Sequence, residues 1–225
     1  MKSVTVSRFI GFDASVYVES KYASMLYDNG YRLAIRYVRR DSHVNTTPDL
    51  SGGSTSLSFQ ERDELLSVGF KLTVVQFASL SLVPSASTGT QAGVAAANNA
   101  KTLGFVPGDI VWCDLEWASV PAGAPTSVIA YVDAWATAVV AQGLVAGLYV
   151  GPNCGLTGTQ LWQRPKIKAY WKSAAIVPWV DNRGFQMIQG LPITLGATAS
   201  QNGIEVDQDI CCFDNKNELF KCMAA

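Results

Sequence analysis

AGVAAANNAKTLGFVPGDIVWCDLE, residues 92–116, holds one complete structural unit in a single stretch. The alanine-rich first half is a run of strong helix formers. Gly104 follows Leu103 directly, and a glycine just past the last helical residue supplies the left-handed position that stops a helix. Residues 110–115 are then almost continuously apolar, with β-branched Ile110 and Val111 at the start. An uninterrupted apolar strand is what a parallel sheet covered on both faces requires.

The unit recurs. Asn29-Gly30-Tyr31 precedes the apolar run 33–38, Gly69-Phe70 precedes 72–77, and Gly143-Leu144 precedes 145–150. Ser58-x-x-Glu61 has the spacing of a capping box ahead of Leu65 and Leu66. Pro125 suits the first turn of a helix running through Val128, Val132, Trp135 and Val139. A further helix is expected at 92–103. Ser51-Gly52-Gly53-Ser54 and residues 81–90 read as loops.

Strands are expected at 9–13, 33–38, 72–77, 110–116, 144–150, 169–174, 185–189 and 204–209. Strands that alternate with helices in this way predict an α/β fold, a single (β/α)8 TIM-type barrel filling residues 1–225 as one domain. The last third has too few residues for full crossover helices, so short or missing helices are expected there. A doubly wound open sheet is the rival architecture. It gains no support from a G-x-G-x-x-G after a strand or from a Walker motif, since neither occurs.

Net charge is −1, and the only adjacent cations are Arg39-Arg40. Neither nucleic acid nor an anionic membrane is an expected partner. No apolar run reaches the ~18 residues of a membrane span. The first seven residues lack a charged segment followed by an apolar one, so no secretory signal is read and the compartment stays open. The five cysteines include no C-x-x-C pair. Cys222 with Cys211 or Cys212 forms a bridge, or all five are free thiols. The one histidine, His43, lies in a polar stretch and reads as a surface-loop residue. A histidine-rich metal site is excluded by count, and a Ser-His-Asp or Cys-His system would have to use His43. No cofactor is expected, and oligomeric state is not legible.

The chemistry concentrates in Trp112-Cys113-Asp114-Leu115-Glu116-Trp117. Strand side chains alternate, so Trp112, Asp114 and Glu116 share one face while Val111, Cys113 and Leu115 turn to the helices. Active sites of TIM barrels form at the C-terminal ends of the strands, which is where these two acids lie. Like charges so close raise the pKa of at least one of them. Glycoside hydrolysis needs that division of labour, with one protonated acid and one ionised partner. The alternatives are a structural acid pair tied to Arg36, or Asp13, Asp114, Glu116 and Asp207 acting together as an oxygen site for Mg²⁺ or Ca²⁺.

Asp13 and Asp207 end the first and last strands, which are neighbours in a closed barrel. If Asp207 points inward, so do Glu205, deep in the barrel, and Asp209, at its end. Tyr149, Trp117 and Trp171 are candidates to stack on sugar rings, whose C–H faces are apolar, or else belong to the core. Arg36 and Gln76 are read as further substrate contacts. Gln186 and Gln189 are amides able to bind a ligand or to satisfy the acids.

Gly11-Phe12-Asp13-Ala14-Ser15, Val111 to Glu116, Gly147-Leu148-Tyr149-Val150-Gly151 and residues 203–209 occur in matching order in a known family. Together they resemble the glycoside-hydrolase-like domain of unknown function found in a mycobacterial exported cell-envelope protein, a family similar to glycoside hydrolase family 25 lysozymes. The resemblance covers about residues 8–212. It implies Glu116 as general acid and Asp114 as the partner that orients a substrate N-acetyl group or stabilises positive charge. It also implies Asp13 and Asp207 as flanking rim acids, and Tyr149 as the aromatic of the fifth strand. The expected function is cleavage of an amino-sugar polymer such as peptidoglycan, with export or delivery to the cell envelope by some other route. A carbohydrate-binding or envelope-associated barrel without catalysis is the alternative.

Overall fold

Gly30, Gly69, Gly104 and Gly143 all take positive φ, at 94°, 109°, 95° and 80°. Their N–H groups donate back to the carbonyls of Tyr27, Leu66, Lys101 and Val140. The four helix stops expected from sequence are therefore in place, in a conformation that glycine reaches without strain. The computed structural model describes residues 1–6, 8–50, 55–77, 80–196 and 203–225, so the loop expected at 51–54 lies outside the described residues.

The elements run β1 (Lys2–Thr5), β2 (Ile10–Ala14), α1 (Ser20–Asp28), β3 (Tyr31–Val38), α2 (Phe59–Val68), β4 (Lys71–Gln76) and α3 (Ala86–Thr102). They continue with β5 (Ile110–Leu115), α4 (Thr126–Ala141), β6 (Val145–Val150), α5 (Gly158–Trp162), β7 (Ile167–Lys172), β8 (Met187–Leu195), β9 (Ile204–Cys211) and β10 (Lys221–Ala224). Strands β2 to β9 pair in sequence order, and β9 returns to β2, closing the eight-stranded barrel. As expected, the helices dwindle late in the chain. The helix α5 has five residues, and the described residues hold none after it.

Three expectations need correction. The helix α3 begins at Ala86, so only the start of 81–90 is loop; Ser85 and Thr88 form a reciprocal capping box there. At α2, Ser58 accepts from the N–H of Glu61, but the Glu61 carboxylate does not return the bond. It goes to Arg36 instead. The third correction concerns direction. Strands β2 to β8 are parallel, whereas β9 runs antiparallel to both β8 and β2. A parallel return needs a crossover of a dozen or more residues, and residues 196–203 are too few to provide it.

The sheet separates two apolar layers. Outside it, Ala34, Val74, Val111, Cys113, Leu115 and Leu148 pack on the helices. Inside it lie Leu33, Ile35, Val75, Trp112, Trp171 and Met187. The parity expected for residues 111–116 is the one observed. Trp112 fits inside only because its neighbour on β6 is Gly147, where any Cβ would run into the indole ring. Strands β1 and β10, which sequence reading missed, pair antiparallel and seal the end of the barrel where the parallel strands begin. Val6, Phe220 and Cys222 enter the interior from this ribbon, and the Phe220 ring meets Trp112 edge-on at 5.2 Å. All five cysteines are free thiols.

Candidate active site

The opposite end of the barrel gathers the acids. Asp13 lies directly across from Asp207 in the β2–β9 ladder, as expected for the first and last barrel strands. The amide of Gln189, on β8, ties them together: its Nε2 donates to Asp13 at 2.8 Å and to Asp207 at 3.3 Å. Its Oε1 accepts from the Tyr149 hydroxyl at 2.9 Å and from the Ala174 N–H at 3.2 Å. Sequence reading singled out Gln189 as an amide able to satisfy acids, and in this structure it does so.

The reversal of β9 exchanges the expected places of its acids. Because the strand runs downward from the rim, Glu205 is exposed above it and Asp209 is the deep residue, fully buried. Trp171 donates its indole N–H to Asp209 at 2.8 Å. Asp13 is the carboxyl next to Asp209. Burial pushes the Asp13 carboxyl up to about 7, with Asp207 adding to the rise and Gln189 opposing it. Asp209 is raised well above the ordinary range, first by burial and then by the neighbouring charge of Asp13. Asp207 is raised by burial and by Glu205.

Across the mouth, Asp114 lies beside Tyr149 in the β5–β6 ladder. Tyr149 meets Trp171 edge-on at 4.5 Å. Glu116 stands just past the end of β5, half-buried, and its carboxyl is raised with burial as the cause. Gly151 forms the wall beside it; a Cβ there would come within 2.9 Å of Glu116 Oε2. Tyr37, which sequence reading missed, also faces the mouth. Its hydroxyl pKa is raised well above the ordinary value by burial and by the charges of Asp13, Asp114, Tyr149 and Asp207. Its position on β3 with Leu33 and Ile35 carries the inward parity, but a sequence with both strand faces apolar does not announce which parity is inward.

Three candidate substrate contacts lie elsewhere. Arg36 is fully buried on the outer face of β3, where it pairs with Glu61 at 2.6 Å and donates to the Ala14 and Thr55 carbonyls. The expected pairing of Arg36 with the mouth acids is therefore replaced by one with α2. Gln76 is also buried on the outer face, donating to the Ala92 carbonyl and accepting from the Trp135 indole. Trp117 turns outward by parity, donates to the Leu82 carbonyl and packs edge-on against Tyr131. Trp171 is under the mouth, sealed from solvent as part of its floor. Of the aromatic candidates, Tyr149 borders the acids of the mouth, and Trp171 meets Asp209 from below. His43 is an exposed loop residue bonded to Asn45. Among the described residues no three His, Cys, Asp or Glu side chains are disposed to hold one metal ion, and no helix is long and apolar enough to cross a membrane.

Comparison with known proteins agrees with this fold. The Tat-secreted protein Rv2525c of Mycobacterium tuberculosis superposes with a TM-score of 0.62 at 16% identity, over 92% of this chain and 96% of that one. A family 25 glycosyl hydrolase of Bacillus anthracis gives 0.58 at 13% identity, over 90% and 88%. The autolysin LytC of Streptococcus pneumoniae, in complex with a synthetic peptidoglycan ligand, gives 0.55 at 13% identity, over 90% of this chain and 46% of that one. These likenesses show the fold. No curated protein matches the sequence. Residues 24–211 match the family described as the Rv2525c-like, glycoside hydrolase-like domain, a span that takes in every mouth acid except Asp13, and the chain belongs to that family.

Proposed function

We propose that this protein is a glycosidase acting on an amino-sugar polymer such as peptidoglycan, with Glu116 as the general acid. The observation that carries the reading is the state of Glu116. It is half-buried at the rim, its pKa is raised, and burial is the cause. Such a carboxyl keeps its proton at higher pH than a solvated one and can give it away. Asp114 lies two residues earlier on the same face, and Asp13 and Asp207 stand on the far strands β2 and β9. The mouth between them is lined by Tyr149 and Tyr37, aromatic surfaces suited to a sugar ring.

In this mechanism the bond between the anomeric carbon and the glycosidic oxygen breaks as Glu116 passes its proton to that oxygen. The positive charge left on the sugar is stabilised by Asp114, either directly or through the substrate's acetamido group. Water then adds to the anomeric carbon and its proton returns to Glu116, restoring the acid. A cell-envelope polymer as substrate would place the protein's work at the envelope. LytC, with its peptidoglycan ligand, supports that choice of polymer by its shared fold alone.

The test is incubation with peptidoglycan and with chitin oligomers, following new reducing ends by mass spectrometry. Wild type releases products, and Glu116→Gln lowers the rate by 10² or more while leaving sugar binding intact. Absence of products from wild type, with saturable sugar binding retained, overturns the enzyme reading and leaves a carbohydrate-binding barrel.

A further inference from the structure

A hollow of about 490 Å³ opens beside Glu116. Three rim loops build it. Val120 and Pro125 come from the segment between β5 and α4, Leu156 from that between β6 and α5, and Ile176 and Val177 from that between β7 and β8. Gly151 belongs to its wall and also lies against Glu116, where an added Cβ would come within 2.9 Å of the carboxylate. The hollow thus shares the Gly151 wall with Glu116 and, built on the ends of β5, β6 and β7, lies on the side away from Asp13 and Asp207.

Its chemistry differs from that of the mouth. No charged residue lines it. The polar side chains that do are engaged with groups of the rim loops themselves. The Asn153 amide donates to the Trp117 and Ala118 carbonyls. Gln160 Oε1 accepts from the Thr157 N–H, and Thr157 Oγ1 accepts from the Gln160 N–H. What remains for an occupant is largely hydrocarbon. Ile176 is fully exposed and Val120 more than half so, at 102% and 56%. Sugar hydroxyls in such a place would lose water without finding partners, whereas an aliphatic group gains by burial.

We propose that this hollow is a leaving-side subsite for an aliphatic substituent, so that the preferred substrates carry an alkyl or acyl chain on the side of the glycosidic bond whose oxygen Glu116 protonates. The proposal rests on the reading of Glu116 as the acid at the scissile bond. It names the substrate class within that reading.

The experiment is calorimetric titration with methyl and octyl β-N-acetylglucosaminide, the latter below its micelle concentration. Each buried methylene strengthens binding about four-fold, so the octyl glycoside binds at least ten-fold more tightly than the methyl one. Ile176→Asp and Val120→Asp, both at exposed positions, reduce that ratio below three-fold, with melting temperatures held as the check on folding. A ratio below three-fold in wild type overturns the proposal, and so does a ratio that survives both substitutions in folded protein. Free octanol binding as tightly as octyl glycoside overturns it too, because the hollow would then be detached from the sugar site. The same titration on Glu116→Gln keeps the chain preference whether or not wild type hydrolyses peptidoglycan, so failure of the catalytic reading and failure of the subsite are separate results.

Discussion

Two sets of buried carboxyl groups lie on either side of the same sheet, and they are treated in opposite ways. Outside it, Glu61 is fully buried and meets the Arg36 guanidinium at 2.6 and 3.1 Å, with the Val18 N–H as a further donor. Inside it, Asp13 and Asp209 are held by neutral groups, Gln189 and Trp171. Among the described residues none of the ion pairs involves Asp13, Glu116, Asp207 or Asp209. A carboxylate locked to a guanidinium has one protonation state and serves the architecture. Carboxyls given only neutral donors in a dry setting keep their protonation adjustable, and adjustable protons are the working material of acid catalysis.

The largest effect expected from this contrast is on the outside. Glu61→Ala strands the Arg36 charge in the protein interior and costs about 3–5 kcal/mol. Urea unfolding measures it. The double change Arg36→Met with Glu61→Leu recovers most of the loss, since no charge is then left unpaired. A single substitution that costs under 1 kcal/mol would erase the distinction between the two sets.

An effect smaller at each step of pH is expected inside, and it has a pH signature. Asp13 titrates near 7 in the folded protein, against about 4 when unfolded. Between those values only the folded state keeps the proton. Stability contributed by this residue therefore falls as pH rises from about 4 to about 7, by at most about 1.4 kcal/mol per unit, and is level above that. Asp13→Asn removes this part of the slope. Thermal melts of the two proteins across pH 4–8 should diverge in Asn's favour as pH rises; parallel curves would mean that Asp13 is not held protonated.

The smallest effect concerns one neutral bond in the inner network. Tyr149→Phe removes the hydroxyl that donates to Gln189, whose Oε1 keeps the Ala174 N–H. It costs about 0.5–1.5 kcal/mol by urea unfolding. A loss as large as that of Glu61→Ala would show that the inner network is as rigidly structural as the outer pair.

The barrel was legible because its repeats carry local punctuation. A glycine after each of four helices and eight apolar runs suffice to place every barrel strand. The acids Asp114 and Glu116 were legible because parity within one strand is a local rule. Arg36, Gln76 and Trp117 were misplaced because parity says which residues share a face, not which face is inward, when both are apolar. Trp117, one residue after Glu116, had the parity of Cys113 and Leu115 and could have been turned outward on that ground. Glu205 and Asp209 were exchanged because the direction of β9 depends on the length of the connection before it. Strands β1 and β10 are four residues each and pair with one another across the whole chain, so no local pattern marks them.

That last pairing also orders events in time. Lys2 finds its partner in Ala224, so β1, made before the barrel strands, waits for β10, made after them. Until β10 arrives, Trp112 lacks the Phe220 ring that covers it, and the lower opening of the barrel is an apolar hole. Closing it means joining two segments that lie far apart in sequence, a slow kind of contact for a folding polypeptide to make. A barrel of this design can complete its acidic rim from β2 to β9 before its base is sealed, leaving an apolar surface that is covered last.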